Sequence, residues 1–139
     1  MGAAPGNAIE LFHGYTYSGH PLAAAAALAS LDVFEEEGLF QRATELSPYF
    51  EQAVHSLREL PHVMDIRNLG MVAGIELEPA PGRSTTRAYD VFSRCFEKGV
   101  LIRTTGDIIA LSPPLIISKA QIDELVGTLG SALRESGGK

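Results

Sequence analysis

The sequence predicts an α+β protein in which helices cover one face of a mainly antiparallel sheet, after two or three helical segments at the start. Apolar residues recur at the helical period from Pro21 to about residue 60. Two pairs of short segments rich in Val, Ile and Leu then each surround a glycine turn, which is typical of hairpins. A helical pattern follows each pair, so the expected order is strand, strand, helix, strand, strand, helix.

The first two helices are predicted from this periodicity and from its breaks. Pro21 suits the first position of a helix over residues 21–37, and the alanine-rich opening predicts a helix buried on most sides at its start. Gly38 should break or bend it. The pattern then predicts a helix over residues 39–60, in which Pro48 either introduces a kink, the interpretation we favour, or begins a second helix capped by Ser47.

The two hairpins are predicted by apolar segments around glycine turns. Strands over residues 63–66 and 71–77 should pair antiparallel around a tight turn at residues 68–70. A second pair over residues 100–104 and 108–111 should do the same.

The two remaining helices carry recognisable start signals. Ser84 or Thr85 can cap the third helix. Ser118 and Gln121 have the spacing of a capping box, which predicts the start of the last helix.

Length and composition limit the function classes. The 139 residues fit one domain, and eleven scattered basic residues with a net charge of −6 argue against nucleic acid as a partner. Cys95 is the only cysteine, so no internal disulfide can form; we expect a small buried side chain and a cytoplasmic location. No apolar run approaches the roughly twenty residues of a membrane span.

The polar glycine turn His13-Gly-Tyr-Thr-Tyr-Ser-Gly-His-Pro21 leads directly into the first helix. Helix starts leave their first amides unpaired and carry partial positive charge, so such a turn can bind an anion. Ser, Thr and Gly are equally ordinary as capping residues. His13 and His20 have no third ligand at metal spacing, so no metal site is expected, and His20 suits a capping or packing role.

Arg103 is a second candidate, because it interrupts an otherwise apolar strand. Its planar fork of donors matches a carboxylate ligand, but an ion pair with Asp107 across the turn would explain it equally well. Arg67, in the first hairpin, suits support of the sheet or pairing with an acid.

Several motifs in register along the chain resemble the C-terminal third of the class III (omega) aminotransferases. The motifs are His13 to Pro21, Gly38-Leu-Phe, Arg67-Asn-Leu-Gly-Met-Val-Ala-Gly-Ile-Glu76, Gly99-Val-Leu-Ile-Arg103 and Ile109-Ala-Leu-Ser-Pro-Pro-Leu115. The resemblance runs from about Ile9 to Leu133 and is closest to the beta-alanine (omega-amino acid):pyruvate branch.

The resemblance implies the domain organisation of pyridoxal-phosphate enzymes of fold type I. Residues 1–20 would be a lead-in from a large domain, residues 21–60 linking helices, and residues 61–139 the C-terminal α+β small domain. Amino acids and keto acids would be the substrates, and the complete enzyme would be a homodimer or a higher homo-oligomer.

The resemblance also implies roles for individual residues. Thr16, with Tyr15 beside it, would bind the cofactor phosphate of the neighbouring subunit; the alternative for Thr16 is a turn hydroxyl bonded to its own backbone. Arg103 would bind the substrate's alpha-carboxylate and swing aside for other substrates.

Pyridoxal-phosphate chemistry also needs a lysine that holds the cofactor covalently. Lys98, Lys119 and Lys139 all lack the apolar surroundings that would depress a lysine pKa, and the resemblance places the reactive lysine upstream, in the large domain. We therefore expect this polypeptide alone to be inactive, as part of an enzyme that transfers an amino group from a beta- or omega-amino acid to pyruvate. The alternative is a stand-alone α+β module that binds a small carboxylate through Arg103 without catalysis.

Overall fold

The computed structural model describes Tyr15, Thr16 and residues 18–136. His13, Tyr17 and Lys139 therefore lie outside the described residues. The chain divides into two compact units, Met1–Glu37 and Gly38–Lys139. Within the described part of the chain, no helix is long and apolar enough to cross a membrane.

The first unit contains helix α1, Pro21–Glu36. His20 is its N-cap, and the Nδ1 atom of His20 accepts a hydrogen bond from the Ala23 amide at 3.4 Å, which confirms the capping role. The expectation that α1 is buried on most sides is wrong, because no residue of α1 is buried. Its apolar residues surround the helix without forming one stripe, and the described residues of its own unit do not cover them.

The second unit begins with helix α2, Leu39–His55, which follows the predicted break at Gly38. Pro48 lies inside this helix. The helix ends five residues before the predicted end, because hydrogen bonds such as that from the Leu57 amide to the Val54 carbonyl close three-residue turns instead. Leu57 is nevertheless buried, so these turns continue the apolar period that suggested a longer helix.

Four antiparallel strands form a single sheet in the order β1-β2-β4-β3. The strands are β1 Val63–Leu69, β2 Val72–Leu77, β3 Arg103–Thr105 and β4 Ile108–Leu111. The predicted α+β class and antiparallel pairing are confirmed.

Both hairpin turns differ in detail from the prediction. The first turn consists of Gly70 and Met71, because Gly70 adopts a φ of 57° and Leu69 still pairs with Val72. The predicted turn at residues 68–70 was therefore placed too early. In the second hairpin, β3 begins only at Arg103 and ends at Thr105, so it is shorter than the predicted strand over residues 100–104.

Helices α3, Thr86–Glu97, and α4, Lys119–Ser136, complete the second unit. The capping box before α4 is confirmed, since the Gln121 amide donates to Ser118 Oγ and the Ser118 amide donates to Gln121 Oε1. The predicted capping of α3 is wrong. Thr85 occupies the N-cap position, but its side chain caps nothing and its φ is 70°.

One face of the sheet carries the hydrophobic core. Alternate residues of β2 and β4 are buried, namely Ala73, Ile75, Leu77, Ile109 and Leu111. In the helix layer, α3 and α2 both pack against α4, while α3 also contacts β3 and α2 contacts β1. Cys95 is fully buried in this layer, as expected, and burial raises the pKa of its thiol to about 11.

Candidate functional site

The opposite face of the sheet, here called the outer face, carries both candidate arginines. Strand register places Arg67 beside Gly74, Gly74 beside Ala110, and Ala110 beside Arg103. These four residues form one row across all four strands, with an arginine at each edge and two small residues between them. Three strand spacings separate the arginines, roughly 14 Å between their backbones.

Arg67 is held by two carboxylates on the outer face. Its Nη1 atom lies 3.0 Å from Asp65 Oδ2 and 2.8 Å from Glu76 Oε2. The hydrogen bonds that Arg67 donates, first to Glu76 and then to Asp65, raise its pKa above the ordinary value. The predicted pairing with an acid is confirmed, and it leaves Arg67 engaged within the chain.

Arg103 differs, because it forms no ion pair with any residue in the described part of the chain. The acid proposed as its internal partner is engaged elsewhere, since Asp107 Oδ1 accepts the Thr85 amide hydrogen at 2.7 Å. Arg103 is solvent-exposed, and the neighbouring Ala110 presents only a methyl group. Such an arginine is suited to bind an external carboxylate.

Arg103 also lines a cavity of about 510 Å³ at the end of the second hairpin. The β3–β4 ladder stops at the pair of Arg103 with Ala110. Pro113 and Pro114 follow β4 and have no amide hydrogen to extend the ladder, so the pairing of β3 with β4 ends there. Phe92 from α3 and Leu125 from α4 line the same cavity, which is largely apolar.

The candidate cofactor residues belong to the first unit. The Ser18 amide donates to the Tyr15 carbonyl at 2.9 Å, which closes a turn around Thr16, and Gly19 has a φ of 72°. The Thr16 hydroxyl hydrogen-bonds to none of the described residues, so the alternative role of bonding its own backbone is not seen there. Tyr15 is 77% exposed.

Neither described lysine has the surroundings of a covalent cofactor site. Lys98 Nζ lies 2.6 Å from Glu135 Oε1, and Lys119 Nζ lies 4.9 Å from the centre of the Tyr49 ring. Both lysines are solvent-exposed, as expected.

Two features of the site were not predicted from the sequence. Phe92 and Leu125 line the cavity with Arg103, and no local sequence signal places them beside it. The hydrogen bond between Thr85 and Asp107 joins residues 22 positions apart. The sequence indicated only that Gly106 and Asp107 belong to a hairpin turn, and it gave no sign of the contact with Thr85.

A family model described as "Aminotransferase class-III" matches residues 2–133. An omega-aminotransferase of Caulobacter vibrioides is 61% identical over 125 residues, which are 90% of this chain and 28% of that protein. A beta-alanine–pyruvate aminotransferase of Pseudomonas aeruginosa is 37% identical over 131 residues, 94% of this chain and 29% of the relative.

Solved structures show the same fold. A thermostable omega transaminase mutant from Pseudomonas jessenii superposes with a TM-score of 0.81 at 32% identity, over 91% of this chain and 29% of that one. An adenosylmethionine-8-amino-7-oxononanoate aminotransferase from Methanocaldococcus jannaschii gives 0.77 at 35% identity, over 90% of this chain and 30% of that one. The chain thus spans about three tenths of the length of these relatives, whose names indicate different substrates.

Proposed function

This chain belongs to the class III aminotransferases, and on that premise we propose that it is the C-terminal part of an omega-amino acid:pyruvate aminotransferase. The complete enzyme would move an amino group from a beta- or omega-amino acid, such as beta-alanine, to pyruvate. The names of the two relatives above support this branch. A cytoplasmic location is part of the proposal, because one buried thiol needs no oxidising compartment.

Arg103 is the proposed substrate-binding residue, and its lack of an internal acidic partner within the described residues is the observation that carries the proposal. A guanidinium binds a planar carboxylate through two parallel hydrogen bonds. Because both the amino donor and pyruvate carry a carboxylate, one arginine can orient each substrate in turn.

Thr16 and Tyr15 are the proposed cofactor-binding residues, and they would face the phosphate of pyridoxal phosphate bound by a neighbouring subunit of a homo-oligomer. The Thr16 hydroxyl, which bonds none of the described residues, fits a phosphate oxygen. When bound, pyridoxal phosphate supplies the electron sink for amino transfer. The residues of this chain would hold the phosphate and orient the substrate. The covalent lysine would come from the missing large domain.

The acceptor test uses the complete enzyme and two amino acceptors, pyruvate and an aldehyde that has no carboxylate. Arg103→Ala should raise the KM for pyruvate at least about tenfold, since a hydrogen bond to a charged group contributes roughly 1.5–3 kcal/mol. The KM for the aldehyde should change little. Arg67→Met is the matched control, because Arg67 lies in the same row and is satisfied within the chain. Equal effects of Arg103→Ala on both acceptors would reject the carboxylate role.

The substrate class is tested by assaying the complete enzyme with beta-alanine and pyruvate and measuring the alanine formed. Activity with 2-oxoglutarate but not with pyruvate would reject the proposed branch. Binding of pyruvate without any amino transfer would favour the stand-alone carboxylate-binding module instead.

A further inference from the structure

Asp107 joins three elements at the tip of the hairpin that carries Arg103. Its backbone carbonyl accepts the Leu77 amide hydrogen at 2.9 Å, which ties the turn to the end of β2. Its carboxylate accepts the Thr85 amide hydrogen at 2.7 Å, which ties the same turn to the start of α3. The hairpin tip is therefore fixed on two sides.

The backbone conformation of Thr85 indicates that the hydrogen bond between Thr85 and Asp107 is imposed by the surrounding structure. Thr85 has a φ of 70°, an unusual conformation for a β-branched residue. Strain of this kind persists only where the surrounding structure imposes it. In this conformation, the Thr85 amide donates to the Asp107 carboxylate instead of being left to solvent at the start of α3.

Strand β3 depends on such an anchor. It has three residues, lies at the edge of the sheet and pairs only with β4. An edge strand of three residues has backbone hydrogen bonds to one neighbour only. Arg103 begins β3 and is four residues from Asp107, so the position of the tip influences the position of the arginine through a short strand.

The same contact also keeps an acid away from Arg103. Asp107 could otherwise pair with the arginine across the turn, as the sequence suggested. Its hydrogen bond to Thr85 holds the Oδ1 atom at the start of α3, and no Arg103–Asp107 ion pair forms among the described residues. The guanidinium keeps its donors for a ligand.

We propose that Asp107 is a positioning residue for Arg103: by binding the Thr85 amide, it holds the hairpin in place and leaves the arginine available to the substrate carboxylate. This inference rests on the proposed carboxylate role of Arg103. The proposal assigns Asp107 no direct contact with substrate or cofactor.

The test measures KM and kcat of the complete enzyme with pyruvate and with the aldehyde lacking a carboxylate. Asp107→Ala should raise the KM for pyruvate about threefold to tenfold, because small displacements of a positioned group are costly. The KM for the aldehyde and the kcat should stay within about twofold of the parent. Asp107→Asn keeps an oxygen acceptor for the Thr85 amide and should restore the parent KM. Ser84→Ala, at a neighbouring exposed position, is the control.

A double variant shows whether Asp107 acts through Arg103. In the Arg103→Ala background, Asp107→Ala should cause no further rise in the KM for pyruvate. The same rise in both backgrounds, or equal effects on both acceptors, would overturn the proposal. If Arg103→Ala is selective for pyruvate but Asp107→Ala is not, only the positioning role fails. If Arg103→Ala is itself unselective, the proposed function fails as well.

A charge-retaining variant covers the case in which Asp107→Ala does not fold. Asp107→Glu keeps the negative charge but moves the carboxylate by one methylene relative to the Thr85 amide. It should raise the KM for pyruvate at least about twofold above that of Asp107→Asn. Equal KM values for the two variants would overturn the positioning role.

Discussion

At the scale of single residues, Arg67 and Arg103 show how neighbours decide the task of identical side chains. Both lie in one row on the outer face of the sheet, at opposite edges. Arg67 forms ion pairs with Asp65 and Glu76, whereas Asp107, in the turn after Arg103, accepts a hydrogen bond from the Thr85 amide and forms no ion pair with Arg103 among the described residues. The sequence left both interpretations of Arg103 open, because this contact between distant residues cannot be read from local spacing.

The proposed contact between Thr16 and the cofactor phosphate can be tested by substitution. In the complete enzyme, Thr16→Ala should weaken retention of pyridoxal phosphate by roughly tenfold or more, since the variant loses a hydroxyl that hydrogen-bonds a charged group. The dissociation constant can be measured by cofactor titration after dialysis. Thr16→Ser keeps the hydroxyl and should bind the cofactor like the parent. Unchanged affinity of Thr16→Ala would reject the phosphate contact.

At the scale of elements, local signals and tertiary packing each decided part of the structure. Ser118 and Gln121 form the capping box that their spacing predicted, because all of its groups lie within one turn. Pro48 stays inside α2 although it removes a helical hydrogen bond. Leu46 and Phe50 on either side of it are buried, so core packing offsets that cost.

The capping box at the start of α4 should contribute measurably to the stability of the polypeptide. Ser118→Ala should lower the free energy of unfolding by about 1 kcal/mol, because the Gln121 amide loses its acceptor at the start of α4. Urea denaturation of the 139-residue polypeptide measures this change. Ser93→Ala is the control, since the Ser93 hydroxyl bonds only the Tyr89 carbonyl within α3, and it should cost less than about 0.5 kcal/mol. Equal losses in both variants would contradict the capping role.

At the scale of the whole molecule, the residues proposed for cofactor binding and for substrate binding belong to different units of the chain. Tyr15 and Thr16 lie in the first unit and Arg103 in the second. The two described lysines are paired or stacked on the surface, as expected of residues without a catalytic task. Residues proposed for phosphate and carboxylate binding are thus present in a chain that spans about three tenths of its relatives.

This arrangement predicts the behaviour of the 139-residue polypeptide with pyridoxal phosphate. No stoichiometric absorbance band of lysine-bound cofactor should appear, and borohydride should trap none, because both described lysines are exposed surface residues that line no enclosed cofactor site. The complete enzyme, treated identically, is the positive control. A stoichiometric, borohydride-stable adduct on the polypeptide would contradict the claim that its reactive lysine lies in the large domain.

The sequence by itself determined the class of the fold, the order of its elements, the capping box and the family, because these depend on periodicity, turn residues and motifs that lie close together along the chain. The domain limits at residues 20 and 60, and the roles of Thr16, Tyr15 and Arg103, remain predictions. Only the tertiary structure decided that Asp107 binds Thr85 and leaves Arg103 without an internal acid. That contact joins residues far apart in sequence, so it exists only once the hairpin and α3 have packed together.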